Sequence, residues 1–337
     1  MRASAGSENG ARAVWFLGPR RVAVSEVGLE QPAAGQVLVR AEFSGISAGT
    51  ELLAYRGELD SSVPRDETLG ALAGSFEYPF TYGYSVVGTV EASRSEIAEG
   101  ARVFAFHPHQ DRFVVSRGDV VSVDDADARN ATLFPLIETA LQLSLDAGVR
   151  YGEVVALLGL GPVGILTAVL LARSGAIVIA SDPKPWRRQA ARACGVEAVA
   201  PDALDDAVVA ASRGRRADVL VEATGNPGVL GESLKLLARD GVAIVASWYG
   251  SKPVTLPLGG DFHRRRLEIR SSQVSTLGGR AARWDRPRRL ETTRALLGQL
   301  PLGALASHTV PFERAAQAYA ALDAGDDGIV HLALAYS

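Results

Sequence analysis

One cysteine, Cys194, stands in 337 residues. A single cysteine excludes an internal disulfide, a four-cysteine zinc lobe and a CxxC redox pair, and it fits the reducing cytoplasm expected as the location. Long hydrophobic runs are missing as well. The most apolar stretches, Val154 to Leu160 and Ile165 to Ala172, are parted by Gly161-Pro162 and fall short of the ~18 residues of a spanning helix, so no membrane role is expected. The opening MRASAGSENG has no apolar core of a secretory signal and reads as a disordered tail over residues 1–10. Nor is there an excess of one charge. Lysine and arginine number 35 against 38 acidic residues, a formal net charge of −3, which argues against a nucleic-acid partner. What is present is ordinary for a soluble globular chain: 47% hydrophobic and 22% charged residues, in a length that suggests about two domains at roughly 150 residues each.

The texture changes once. From residue 11 to 125, short Val- and Phe-bearing runs such as ARAVWFL, GQVLVRAEF and GYSVVGTVEAS are separated by Gly, Pro, Asn and Asp, and read as a β-rich domain. The stretch 57–80 reads as loop, with one helical turn near Glu67 to Ala73. From 126 to 273, apolar strands alternate with helices over 162–174, 185–194 and 227–239. That pattern predicts a parallel sheet covered on both faces, a doubly wound α/β domain. Residues 274–337 hold two further helices, near 287–300 and 313–324, and a closing strand HLALAY. They are too few to build a core, so this tail is expected to return to the first domain.

The strongest motif is Gly159-Leu160-Gly161-Pro162-Val163-Gly164, between the apolar run EVVALL and the helical PVGILTAVLLARSGA. Strand, glycine turn, helix is the context a dinucleotide fingerprint requires. Gly159 makes the turn, Gly161 lets a pyrophosphate approach the backbone at the helix start, and Gly164 lets helix and strand pack closely. Pro162 suits a first helical turn. The next strand ends in Asp182, 18 residues after Gly164, where a carboxylate accepts hydrogen bonds from the adenosine ribose and disfavours a 2′-phosphate. NAD is therefore expected ahead of NADP, although Lys184, Arg187 and Arg188 follow closely and offer positive charge.

The order of domains and several stretches resemble the medium-chain dehydrogenase/reductase superfamily. SGISAGTELLAYRGE is similar to that superfamily's cysteine-bearing loop CGxCGTDxxxYxG, with one residue more. YPFTYGYSVVGTV is similar to its PxxxGHExxGxV segment, and VLVEATGNPGVL and TVPFERAAQAYAALDAG match its later pattern. The wording around SGISAGTE and GYSVVG is nearest the branch with bacteriochlorophyllide dehydrogenases and zinc-binding alcohol dehydrogenases. The resemblance implies a GroES-like β-rich catalytic domain plus a doubly wound Rossmann domain, a nicotinamide cofactor, a small-molecule substrate and a homodimer. It further implies cofactor contacts at Ala223, Thr224 and Gly225, and nicotinamide contacts at Trp248 and Tyr249.

The zinc ligands of the family are replaced. Ala48 stands at the first ligand cysteine, Tyr84 at the histidine of GHE and Ser85 at its glutamate, and the third position falls near Phe134-Pro135-Leu136, with Glu138 close by. Zinc needs three or four N, S or O donors. A second set from His107, His109 and Asp111 places two histidines on one strand face without a third partner. No zinc is expected. Without a Lewis acid, the substrate oxygen needs hydrogen-bond donors or a general acid. Tyr84 is the leading candidate, Ser47 and Thr50 are further candidate donors, and Glu51 is expected to orient one of these side chains; one of His107, His109 and Gln110 is expected to face the nicotinamide. The basic run Arg264 to Arg266 reads either as an anion site or as a solvated helix end. The leading reaction is alcohol–carbonyl hydride transfer. Reduction of an activated C=C bond is the second reading, and a dinucleotide-binding protein without catalysis the third.

Overall fold

The computed structural model describes residues 10–278, 283–325 and 328–337. The predicted tail lies outside them except for Gly10, which already pairs with Gly28 in the first hairpin. Among the described residues no helix is long and apolar enough to cross a membrane. Two compact units are present, one of residues up to 135 with 306–337, the other of residues 136–305.

The first unit is β-rich. Strand Gln36–Ile46 is its axis, paired antiparallel with Val86–Ser93, Arg112–Ser116 and, from the far end of the chain, Leu332–Ala335. That last pairing is how the tail completes the unit. A second, three-stranded sheet joins the hairpin Gly10–Gly18 and Arg21–Gly28 to Phe80–Thr81. Its core is aromatic: Phe16 stacks on Phe80 with ring centroids 5.2 Å apart and meets Tyr319 edge-on at 5.3 Å. The stretch SGISAGTELLAYRGE is not all loop. Ala48–Arg56 is helical, closed by Gly57 in the left-handed region, φ 72°, with Leu52, Leu53 and Tyr55 buried. The turn expected near Glu67 to Ala73 shrinks to the 3₁₀ turn Gly70–Leu72.

The second unit is a six-stranded parallel sheet in the spatial order Ala198–Val199, Ile177–Ser181, Val154–Leu158, Ala217–Glu222, Leu237–Val245, Glu268–Ser271. In chain order this is 3-2-1-4-5-6, the doubly wound arrangement, with the switch between Val154–Leu158 and Ala217–Glu222. Val154–Leu158 is buried along its whole length, as a central strand covered on both faces must be. Helix Pro162–Arg173 follows it, apolar nearly all round and buried from Gly164 to Leu171.

Two expectations need correction here. The helix expected over 227–239 stops early. Pro227–Ser233 tightens into the 3₁₀ turn Leu234–Leu236, and Leu237 is already in a strand, paired with Ala217. The leucines at 234, 236 and 237 are all buried, two by a helical turn and one by the sheet, so their spacing mimics a longer helix.

The unit boundaries also differ from those expected at 125/126 and 273/274. Residues 126–135 stay with the first unit, where Ser85 Oγ donates to the Thr132 carbonyl at 2.6 Å. Residues 274–305 stay with the second. Helix Arg286–Leu297 is held there by a buried ion pair, Arg289 Nε to Glu138 Oε1 at 2.9 Å, and Arg289 Nη1 donates to Gln142 Oε1 at 2.8 Å. Glu138, near the third metal position by sequence, is thus spent on packing two helices together.

Candidate active site

The second unit sets the glycine turn at the head of helix Pro162–Arg173. Gly159 has φ +96°, and a Cβ there would come within 2.5 Å of the Ala223 carbonyl oxygen. A Cβ on Gly164 would lie 1.9 Å from the Gly159 oxygen, so only glycine lets the helix close on the turn. Around Gly161 the space is open, with nothing within 4 Å of a Cβ position. Gly161 is the N-cap of Pro162–Arg173, no side chain caps it, and Pro162 and Val163 form its half-buried first turn. A helix amino terminus opening on free space beside a bare glycine is a fitting seat for a pyrophosphate.

Asp182 is 3% exposed and ties the next strand to this turn. Its Oδ2 accepts from the Leu160 N–H at 2.9 Å and its Oδ1 from the Lys184 N–H at 2.8 Å, and Arg187 approaches at 3.4 Å. A carboxylate has about four acceptor positions, so one is left for a ribose hydroxyl. The basic residues nearby turn to their own loop: Arg188 Nη1 donates to the carbonyls of Asp182 and Pro183 at 2.7 and 2.9 Å, and Arg187 and Lys184 lie over the Trp186 ring.

Across the switch, Ala223 donates its N–H to the Leu158 carbonyl at 2.8 Å. The fully buried Glu222, which sequence reasoning passed over, gathers this end of the sheet. It accepts from the Thr224 N–H at 2.7 Å, from the Thr224 hydroxyl, and from Tyr249 Oη at 2.5 Å. Burial and this carboxylate raise the Tyr249 phenol. Gly225 donates to Ser247 Oγ at 2.8 Å, and Trp248 is half-exposed next to it. An acid closing an apolar strand, as Asp182 does, was the available signal for Glu222.

In the first unit the structure brings three hydroxyls together. Ser47 is the N-cap of Ala48–Arg56, and Thr50 lies in the first turn of that helix. Both hydroxyls act to lower the Tyr84 phenol, which places them beside its oxygen. Burial, reinforced by the negative charge of Glu51, pushes the Tyr84 phenol up to about 12, against the stabilising effect of Ser47 and Thr50. The ring is fixed edge-on against Tyr82, centroids 6.0 Å apart. Tyr84 is therefore a protonated phenol beside two hydroxyls, a group suited to giving a proton or a hydrogen bond.

The histidines and Glu51 are not placed as expected. Strand Arg102–Ala105 ends before them, so they do not share a strand face. His107 is stacked on Phe113, centroids 4.0 Å apart, with burial pulling it down to about 4. His109 is fully buried, its Nε2 bonded to Glu51 Oε2 at 2.9 Å and its Nδ1 to Ser44 Oγ at 2.7 Å. Gln110 Nε2 donates to the Arg112 carbonyl at 2.6 Å. Glu51 is equally buried. Besides His109 it accepts from the Ser47 N–H at 2.7 Å and from the Tyr319 hydroxyl. It orients the helix start that carries Ser47 and Thr50 through the backbone of Ser47. Tyr319, in a tail helix remote in sequence, carried no local signal.

These residues do not fit a zinc ion. Ala48 and Phe134 bring no donor to the matched positions, Tyr84 is a phenol raised to about 12, and the buried pair of Glu51 and His109 is bonded to other groups. Among the described residues no group of three or more His, Cys, Asp or Glu could hold a metal ion.

Residues 162–286 match the family model of zinc-binding dehydrogenases. The chain is 29% identical over 333 residues to the 2-desacetyl-2-hydroxyethyl bacteriochlorophyllide A dehydrogenase of Cereibacter sphaeroides, covering 91% of this chain and 93% of that protein. An Escherichia coli protein described as a short chain alcohol dehydrogenase, solved with NADH, superposes with a TM-score of 0.78 at 16% identity, over 97% of this chain and 99% of that one. A Sinorhizobium meliloti protein described as a zinc-binding dehydrogenase, solved with NADP, gives 0.77 at 20% identity, over 97% and 100%. At such identities the solved structures speak to the fold alone.

Proposed function

From the premise that the chain belongs to the alcohol dehydrogenase-like, medium-chain dehydrogenase/reductase superfamily and is an NAD(P)-dependent oxidoreductase, we propose that it interconverts a small-molecule alcohol and ketone with NAD(H) and without zinc. The observation that carries this reading is the donor set itself: Tyr84, where the family places a metal ligand, with the hydroxyls of Ser47 and Thr50 beside it. The nicotinamide, when bound, takes or gives the hydride. Gly161 and the helix start at Pro162 would hold its pyrophosphate, Asp182 its adenosine ribose, and the ends of strands Ala217–Glu222 and Leu237–Val245 its nicotinamide half. Tyr84 donates to the carbonyl oxygen. As charge moves onto the Tyr84 oxygen, Ser47 and Thr50 stabilise it, the part a preorganised pair of donors plays best.

Asp182 supports NAD over NADP, since its negative charge opposes a 2′-phosphate and Arg187 and Arg188 are turned to their own loop. With the reading come the family's homodimer and a cytoplasmic location, tested by light scattering and cell fractionation. The deciding experiment is turnover of a ketone panel with NADH before and after exhaustive treatment with 1,10-phenanthroline. Retained turnover is expected. Loss of turnover restored by zinc would sink the zinc-free reading. Turnover confined to enones would replace it with C=C reduction, and cofactor binding without any turnover would replace it with a binding role.

A further inference from the structure

The end of the second unit where its strands begin carries a charge that the chain as a whole does not. Three segments meet there: 213–216, 235–240, which runs from a 3₁₀ turn into strand Leu237–Val245, and 263–266. Arg216 and Arg265 both donate to the Lys235 carbonyl, at 2.7 and 3.1 Å, and the Asp240 N–H donates to the Arg265 carbonyl at 2.8 Å, so the segments form one surface. These segments hold eight arginines and lysines, in a chain of net charge −3. Three of the eight are paired with carboxylates: Arg216 with Asp205 at 3.1 Å, Arg265 with Asp261 at 3.4 Å and Arg266 with Asp240 at 3.1 Å. Arg213, Arg215, Lys235, Arg239 and Arg264 are exposed.

The backbone gives an independent mark. Five non-glycine residues among those described have positive φ, and four of them lie in these segments: Arg213 at 53°, Arg216 at 76°, Asp240 at 59° and Arg266 at 56°. Arg213 directly follows the cap of helix Leu204–Ala211, where a left-handed residue is usually glycine because a Cβ there is strained. A cation near a helix carboxyl end gains from the dipole, but a neighbouring right-handed position offers the same gain without the strain. Arg216 and Arg266 spend their side chains on Asp205 and Asp240, whereas Arg213, exposed and held in a conformation that suits glycine, points to a use for its side chain beyond the fold.

We propose that this face docks an acidic segment of a partner protein. The carboxylates of Asp205 and Asp240, 48% and 56% exposed, interrupt the positive surface. A continuous phosphate backbone would have to run over them, whereas a peptide can space its Asp and Glu side chains to pass between them, and guanidinium groups match carboxylates bidentately. The surface is remote from the dinucleotide turn. Strand Ala217–Glu222 starts here and runs roughly 17 Å, at ~3.3 Å per residue, before Ala223 and Thr224 reach the dinucleotide turn. Docking therefore leaves cofactor binding free.

The test uses the full-length protein and a fluorescein-labelled peptide of ten glutamates, followed by anisotropy at two salt concentrations. Saturable binding that weakens with salt is expected. In the double variant R213G/R266G, peptide affinity should fall about tenfold while the melting temperature rises by about 2–4 °C, because glycine relieves the backbone and NADH affinity is untouched. Four results would each overturn the proposal: no saturable binding, unchanged affinity in R213G/R266G, tighter binding of a ten-nucleotide oligothymidylate than of the peptide, or a melting temperature that fails to rise.

Discussion

His109 donates its Nε2–H to Glu51 Oε2 at 2.9 Å, and neither side chain is exposed to solvent. With Nε2 as donor, Nδ1 accepts from the Ser44 hydroxyl at 2.7 Å, and the Ser44 oxygen accepts in turn from Tyr336 at 2.8 Å. The positive φ of Gly83, +108°, belongs to the same arrangement: a Cβ there would come within 2.5 Å of the imidazole. This buried chain ends at the carboxylate that fixes the N–H of Ser47. It gives the start of helix Ala48–Arg56 a defined geometry.

Glu51→Gln should therefore act first on stability. The amide presents an N–H where His109, Tyr319 and Ser47 all donate, so at least one buried donor loses its acceptor, at a cost of about 1–3 kcal/mol. Urea unfolding measures this. Stability within error of wild type would show that the network is not what holds the helix start.

Tyr84→Phe is expected to lower ketone turnover by roughly 10²–10⁴-fold, the range for a positioned proton donor, with NADH affinity unchanged. Thr50→Val, which keeps shape and removes one support of the Tyr84 oxygen, should cost less. Steady-state kinetics with a fluorescence titration of NADH separates the two effects. Both variants within a few-fold of wild type would remove Tyr84 and Thr50 from the chemistry.

The pH profile follows from the same group. A phenol raised to about 12 is protonated throughout pH 6–9, so reduction should show no ionisation of Tyr84 in that window. An inflection near 7–8 that vanishes in Tyr84→Phe would contradict the assignment.

NADH should bind about tenfold tighter than NADPH, since a charge at Asp182 opposes a 2′-phosphate by on the order of a kcal/mol in a partly screened site. Asp182→Asn keeps an acceptor for the Leu160 N–H and should narrow the ratio. Titration of both cofactors in one buffer decides it, and tighter NADPH binding would reverse the reading.

The glycine turn was legible because its physics is local. Gly159, Gly161 and Gly164 lie within six residues, and each answers a constraint made by its immediate neighbours. Tyr84 and Ser47 were singled out through resemblance; one precedes strand Val86–Ser93 and the other caps helix Ala48–Arg56, two elements that no spacing rule connects. The hydrogen bond from Tyr319 to Glu51 joins residues 268 apart in sequence, and nothing in AAQAYAALDAG marks its tyrosine as the acid's partner. His109 misled for the opposite reason. A histidine beside Pro108 in a polar turn looks like a surface or site residue, and only the fold reveals it as fully buried.

His331 sets the acid limit of the first unit. It is 2% exposed, and Gly45 lies so close that a Cβ there would touch the imidazole at 2.9 Å. The Thr132 hydroxyl donates to the Arg129 carbonyl at 2.6 Å, so its oxygen accepts from His331 Nε2–H at 3.0 Å. Nδ1 is left buried with no partner among the described residues. A second proton would have to go onto Nδ1, away from water and without an acceptor. Burial accordingly pulls His331 from 6.5 down to about 4, although the charge of Glu51 acts the other way. The unfolded chain then takes up a proton between pH 6.5 and 4 that the folded chain refuses. Stability is full above pH 6.5 and falls as the pH is lowered, by about 1.4 kcal/mol per pH unit at most and on the order of 3 kcal/mol by pH 4. His107, pulled down to about 4 as well, contributes in the same direction. Urea unfolding at pH 7.5, 6, 5 and 4.5 should show this slope, and His331→Gln should flatten it by about half while lowering stability at pH 7.5 through the loss of packing. An unchanged slope in His331→Gln would mean that His331 titrates alike in the folded and unfolded chains.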